Sequence, residues 1–371
     1  MTDLPSTNKM STTSLGSESS TDGTASSSPL VSVIMPVYNV APYLPTALNC
    51  LVNQTYTNLQ ILCIDDGSTD ASATILDQYA KQDPRISVFH TENQGVALAR
   101  NLGMQHVEGE YICFVDPDDQ WDLTLIEHMV FAAEQHYDDV VFASTKTAPV
   151  NDAIQRFYIE APQPTKQLTY TPFNSNDEFR AAWKHIKSKF STAAVWGKLF
   201  RTDFIRAFQP EFPHEVQTGT DTIFTLHAYT RLQRASYIAE STYYYTPRSN
   251  GICARYDNQF IQERFYIYYQ AFQYLSSWNP EFSSEYAASS CVAIYRLFRE
   301  QSVRRVPWNT QLQCMKSILR TAKWKILLTH AQPQTISQTI QIAILRTKYI
   351  PLIFAASYAQ YFKGALTILK Q

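Results

Sequence analysis

The chain has 371 residues, 45% hydrophobic and 17% charged, with a formal net charge of -2. That length allows one large domain or two ordinary ones with ample material for a core, and the apolar content excludes a chain that is disordered throughout. The near-neutral charge hides an asymmetry: residues 301–371 carry ten Lys or Arg and no Asp or Glu, which leaves 21 basic and 33 acidic side chains on the rest. A basic, apolar C-terminal segment on an acidic body implies an anionic partner surface, and a membrane surface fits it better than nucleic acid.

Fifteen of the first 28 residues are Ser or Thr. Such a segment cannot bury enough apolar surface to offset its chain entropy, so residues 1–29 are expected to be a disordered tail. The same stretch lacks the basic-then-apolar pattern of an export signal, which points to the cytoplasm. The six cysteines show no CxxC spacing and read as buried free thiols, and the eight histidines show no metal-ligand spacing.

From Val31 the pattern changes to short apolar runs alternating with segments of helical period. Val31 to Val37 predicts a strand, and a helix follows from Pro42 on Leu44, Ala47, Leu48, Leu51 and Val52. Next come a strand at 59–64, a helix at 71–80, a strand at 86–89, a helix at 96–106, a strand at 111–115 and a helix at 123–136. Alternation of this kind implies a mainly parallel sheet whose strand-end loops all open on one edge. Neither a GxGxxG after the first strand nor a GxxxxGK[ST] anywhere is present, so a dinucleotide-binding or P-loop reading loses its support. Beyond residue 145 the alternation fades to pieces: 195–200, 219–224 and a strand at 237–245, with helices from about Gln259.

The edge instead carries Pro36-Val37-Tyr38-Asn39, then Asp65-Asp66-Gly67-Ser68-Thr69-Asp70, then Asp116-Pro117-Asp118-Asp119. Pro117 cannot continue the strand before it, so three carboxylates fan out where open α/β sheets bind ligands. Crowded acids repel one another unless a cation or a donor-rich ligand sits between them, and a divalent metal carrying a phosphate suits that place.

Read in order, these segments resemble glycosyltransferase family 2, inverting enzymes of the GT-A fold that use nucleotide-sugar donors. The resemblance runs through Gln54-Thr55-Tyr56, Asn93-Gln94-Gly95, Ala99-Arg100-Asn101-Leu102-Gly103 and Gly109-Glu110-Tyr111-Ile112 as well. It implies an α/β, Rossmann-like, mainly parallel sheet flanked by helices, with a C-terminal helical extension. The boundaries follow as 1–29 for the tail, 30–255 for the glycosyltransferase part and 256–371 for the helical, basic extension.

The resemblance also implies roles. Pro36 and Tyr38 would lie at the nucleotide, with Tyr38 against the base. Asp66 or its neighbour Asp65 would accept a hydrogen bond from base or ribose, against a plain turn and helix cap as the alternative; Ser68 and Asp70 fit caps. Arg100 would contact phosphate or form an internal salt bridge to a nearby Asp. Asp116-Pro117-Asp118 corresponds to the DxD motif, with Asp118 on Mn²⁺ or Mg²⁺, Asp116 on ribose or sugar and Asp119 as loop scaffold. The general base would be Asp221 in Gly219-Thr220-Asp221, although the family's first acid is replaced by Thr220; a helix cap is the alternative. Trp196 borders the acceptor site or belongs to the core, and Arg248 would meet the diphosphate.

The function implied is transfer of a hexose from a nucleotide-sugar, most simply a UDP-sugar, to a hydroxyl of a glycan acceptor, with a lipid-linked cell-surface polysaccharide as the fitting class. A homodimer and peripheral attachment to the inner face of the membrane are compatible with the C-terminal segment, whose most apolar run is too short to span. Two other functions stay open at this point: a non-catalytic GT-A partner subunit and a sugar nucleotidyltransferase.

Overall fold

The computed structural model describes residues 28–147, 170–186, 193–247, 257–304, 306–347 and 353. Residues 1–27 of the N-terminal tail, Arg248 and Cys253 lie outside them. By contacts the chain divides into two compact units, residues 1–214 with 227–248 and residues 215–226 with 249–371. Residues 215–226, inside the 30–255 span drawn from sequence, thus group with the C-terminal helices.

The first unit opens with β1 (Val31–Val37), all seven residues buried, followed by α1 (Leu44–Val52). The helix begins with Pro45 in its first turn, later than Pro42 predicts. Then come β2 (Leu59–Asp65), α2 (Ser72–Gln82), β3 (Ile86–His90), α3 (Val96–Gln105) and β4 (Tyr111–Phe114). β5 (Gln120–Trp121), α4 (Leu125–His136), β6 (Val140–Thr147), β7 (Tyr170–Phe173) and α5 (Asn176–Ile186) follow. β8 (Lys198–Arg201), α6 (Thr202–Phe208), α7 (Thr220–Tyr229) and β9 (Ala235–Tyr245) close the series; α7 starts in the second unit's segment.

The strands form one sheet in the order β3-β2-β1-β4-β8-β6-β9-β5, with β7 also on β9. β3, β2, β1 and β4 are parallel, as is β6 with β9, while β8 runs antiparallel to both β4 and β6. β5 and β7 add antiparallel along different halves of β9. The parallel part follows from the local alternation of strand and helix; the antiparallel insertions need partners far away in sequence and leave no local period. Leu48 and Leu51 of α1 and Ile126, Met129 and Val130 of α4 join Val33, Met35 and Ile61 in one core. On the α3 side the approach is so close that a Cβ on Gly103 would meet Ile34 Cγ2 at 2.6 Å.

Pro36 shapes the exit of β1. Ile34 accepts the amide of Val115 just beyond β4, and Val37 accepts that of Asp66 beyond β2, so even-numbered residues of β1 face β4 here. The next donor toward β4 would be residue 36, and proline has no N–H to give. The β1–β4 ladder stops there, and the loop carrying Asp116 departs.

The second unit contains α8 (Asn258–Trp278), α9 (Pro280–Val303), α10 (Trp308–Leu319), α11 (Ala322–His330) and α12 (Ile336–Arg346). Side-chain caps start four of them: Asp257 accepts from Phe260 N, Asn279 from Phe282 N, Thr321 from Trp324 N and Thr335 from Gln338 N. Phe260, Phe272, Tyr295, Phe298, Met315 and Leu327 belong to its core. Among the described residues no helix is long and apolar enough to cross a membrane.

Candidate active site

The parallel register brings three strand ends to one edge: Val37 pairs with Asp65, and Ile34 with Phe114. Tyr38, immediately beyond β1, is 47% exposed. Asn39 adopts a left-handed conformation at φ 50° and its Oδ1 accepts from the amides of Thr69 and Asp70 at 2.8 and 3.2 Å. Asp70 in turn accepts from Ala41 N, and Ser68 Oγ from Asn39 N. These bonds tie the loop after β1 to the loop after β2.

Asp65 and Asp66 are both buried but held differently. Asp66 accepts the amides of Gln94 and Gly95, one on each oxygen, at 2.7 and 2.8 Å, fixing the start of α3. Asp65 accepts from Ser68 N at 3.0 Å and meets His90 Nδ1 at 2.7 Å; His90 Nε2 lies 3.2 Å from Asp77 on α2. The bond to Asp65 raises the His90 pKa above its ordinary value, with Asp77 adding to it. Gly67 between these loops has φ 71°, and a Cβ there would meet Asn93 N at 2.7 Å, so no larger side chain fits.

Arg100 and Asn101 split the work of positioning the acidic loop. The nearly buried Arg100 Nη2 lies 2.8 Å from Asp116 Oδ1, and its guanidinium packs over the Phe212 ring at 5.4 Å. Asn101 holds that phenylalanine through a reciprocal pair, accepting from Phe212 N at 3.0 Å and donating to Phe212 O at 2.9 Å. The salt bridge that the sequence offers for Arg100 is formed in the structure.

The three carboxylates of the loop differ in environment. Asp119 is 2% exposed; its oxygens accept from Tyr243 Oη at 2.9 Å and Thr246 N at 2.8 Å. Burial, and then the charges of Asp118 and Asp116, raise its carboxyl well above the usual carboxylate range. Asp116 and Asp118 are partly exposed. Tyr243 also accepts from Asp116 N at 3.1 Å, so one phenol braces both ends of the loop. That ring stacks on Trp121 at 5.7 Å and on Trp196 at 4.7 Å, and Trp196 stacks further on Tyr245 at 5.6 Å. Trp196 therefore belongs to an aromatic column that supports the loop.

Asp221 lies in the second unit's segment, in the first turn of α7 rather than at its cap. Thr220 Oγ1 donates to its Oδ1 at 3.3 Å. Among the described residues no group of three His, Cys, Asp or Glu side chains forms a metal cage. Asp116 is engaged by Arg100 and Asp119 is buried, while Asp118 is partly exposed. His90 and the supporting role of Tyr243 carry no sequence signal, because their partners lie 25 and 124 residues away.

The chain matches the model of Glycosyl transferase family 2 over residues 32–208. It is 31% identical over 242 residues to the putative glycosyltransferase EpsH of Bacillus subtilis, covering 65% of this chain and 67% of that protein. Poly(ribitol-phosphate) beta-N-acetylglucosaminyltransferase TarS of Staphylococcus aureus is 27% identical over 224 residues, 59% of this chain and 36% of TarS. Its crystal structure, TarS 1-349 in complex with UDP-GlcNAc, superposes with a TM-score of 0.64 at 19% identity, over 90% of this chain and 92% of that one. Mannosyltransferase PcManGT from Pyrobaculum calidifontis, in complex with GDP-Man and Mn²⁺, gives 0.51 at 17% identity over 90% and 87%. The fold, the strand-end loops and the similarity to EpsH agree: the chain belongs to glycosyltransferase family 2.

Proposed function

We propose that this glycosyltransferase moves a hexose from a UDP-sugar to a hydroxyl of a cell-surface glycan acceptor carried on a lipid. The observation that carries this reading is the gathering of exposed Tyr38, buried Asp65 and Asp66 and the Asp116–Asp119 loop at one sheet edge. The UDP-GlcNAc held by TarS 1-349 supports a uridine donor, and the GDP-Man and Mn²⁺ of the mannosyltransferase support a nucleotide-sugar with a divalent metal.

In this reading Tyr38 stacks on the base. Asp66, whose oxygens each keep a lone pair beyond the backbone bonds, accepts from base or ribose together with Asp65. Arg100 holds Asp116 toward the ribose or sugar. Asp118 holds Mn²⁺ or Mg²⁺, and such a cation, once bound, neutralises charge on the departing diphosphate. Asp221 takes the proton of the acceptor hydroxyl as its oxygen attacks the anomeric carbon and the bond to UDP breaks, inverting that centre. Arg248, outside the described residues, would meet the diphosphate. Residues 30–255 form the catalytic part, and the basic 301–371 segment faces an anionic membrane surface.

Turnover of UDP-GlcNAc with Mn²⁺, followed as UDP release, tests this. Asp118→Asn is expected to lower kcat about a hundredfold while leaving metal-free UDP binding intact. Full turnover by the variant overturns the assignment.

A further inference from the structure

A second candidate site lies in the helical unit and is independent of glycosyl transfer. The end of α10, the length of α11 and Arg346 at the end of α12 line a cleft of about 670 Å³. That is the size of small-molecule sites in general. Arg320, Lys325 and Arg346 line it, and among the described residues no carboxylate does. The absence is built into the chain, because residues 301–371 contain no acid to neutralise the cleft from within. Among the described residues none of the three cations forms an ion pair with a carboxylate; Arg346 donates one N–H to Ala331 O at 3.3 Å and has four more. Like charges gathered around a cavity are unfavourable unless an anion sits among them.

Part of the lining is apolar and contains an unmet donor. Trp324 and Leu328 line the cleft and belong to the unit's core. The Trp324 side chain is 2% exposed, and its indole Nε1 is buried without a hydrogen-bond partner. A buried N–H left unmet is costly. Two guanidinium groups and an ammonium match the oxygens of a phosphate, with the forked arginines able to engage it two bonds at a time. The Trp324 and Leu328 surface suits an apolar group attached to that phosphate.

We infer that this cleft binds the phosphate or diphosphate group of a ligand distinct from the sugar donor. The chemistry is shared by a lipid headgroup and a soluble phosphate, and the test separates them. The full chain is sedimented with phosphatidylcholine vesicles, with vesicles containing phosphatidylglycerol, and with the latter plus competing inorganic pyrophosphate; pyrophosphate binding is also followed by calorimetry. Binding to phosphatidylglycerol vesicles that pyrophosphate competes away is expected. Pyrophosphate binding with no vesicle binding assigns the site to soluble phosphates.

In either arm Arg320→Gln/Lys325→Gln is expected to weaken binding about tenfold with the Tm unchanged, since both side chains are exposed. Lys316→Gln/Lys323→Gln removes two cations of the same helices that do not line the cleft and leaves binding intact. Absence of binding in both arms overturns the inference. So does an unaffected Arg320/Lys325 variant, or equal loss in the Lys316/Lys323 variant.

Discussion

His90 stands between two carboxylates, and donating to both requires hydrogen on both ring nitrogens. Its folded-state pKa is raised above the ordinary value of 6.5, by Asp65 first and Asp77 second. The stabilisation is therefore complete below pH about 6.5 and fades as pH rises through the raised value. Comparing His90→Ala with the native chain by thermal melts, the gap in Tm is expected to be widest in mild acid and to narrow toward alkaline pH; a gap constant with pH would refute the link. The same residues show what was legible at this scale. The acids of Asp65-Asp66 and Asp116-Pro117-Asp118 stand out in sequence because their types crowd together. Their partners do not: nothing near His90 announces Asp65, and nothing near Asn39 announces that its side chain caps two amides thirty residues on.

Among the elements, β9 has the widest reach. It pairs with β6, β5 and β7, and through Tyr243 it holds the acidic loop that follows β4. Removing that hydroxyl leaves Asp119 buried with one hydrogen bond fewer while its charge still repels Asp116 and Asp118. Tyr243→Phe is expected to cost about 1–3 kcal/mol in chemical denaturation and to raise the donor KM; unchanged stability would show that the phenol does not brace the loop. The first four strands and their helices were readable because each buries a face patterned within itself, as Leu44, Ala47, Leu48 and Leu51 do in α1. β5 was not, since two residues carry no period. Its existence depends on Trp121 stacking on Tyr243, a contact made only after the chain has returned.

At the level of the molecule, thiols report on both compact units. Cys50, Cys63 and Cys113 are buried in the first, Cys291 and Cys314 in the second. Burial pushes Cys50 to about 11 and the other four to about 12. All five are expected to resist a thiol-specific reagent at neutral pH until denaturant is added, and rapid native labelling of any of them would contradict the packing. The residues that group 215–226 with the later helices, such as Val216 and Ile223 against Ile267, were invisible to a linear boundary because a fold need not keep sequence neighbours together. The end of the β1–β4 ladder, finally, turns on a single missing hydrogen. Were residue 36 alanine, its amide could add one more rung toward Val115 and draw the aspartate loop closed against β1 like a zip pulled past its stop. Where the ladder ends is thus set in covalent structure, before any side chain packs.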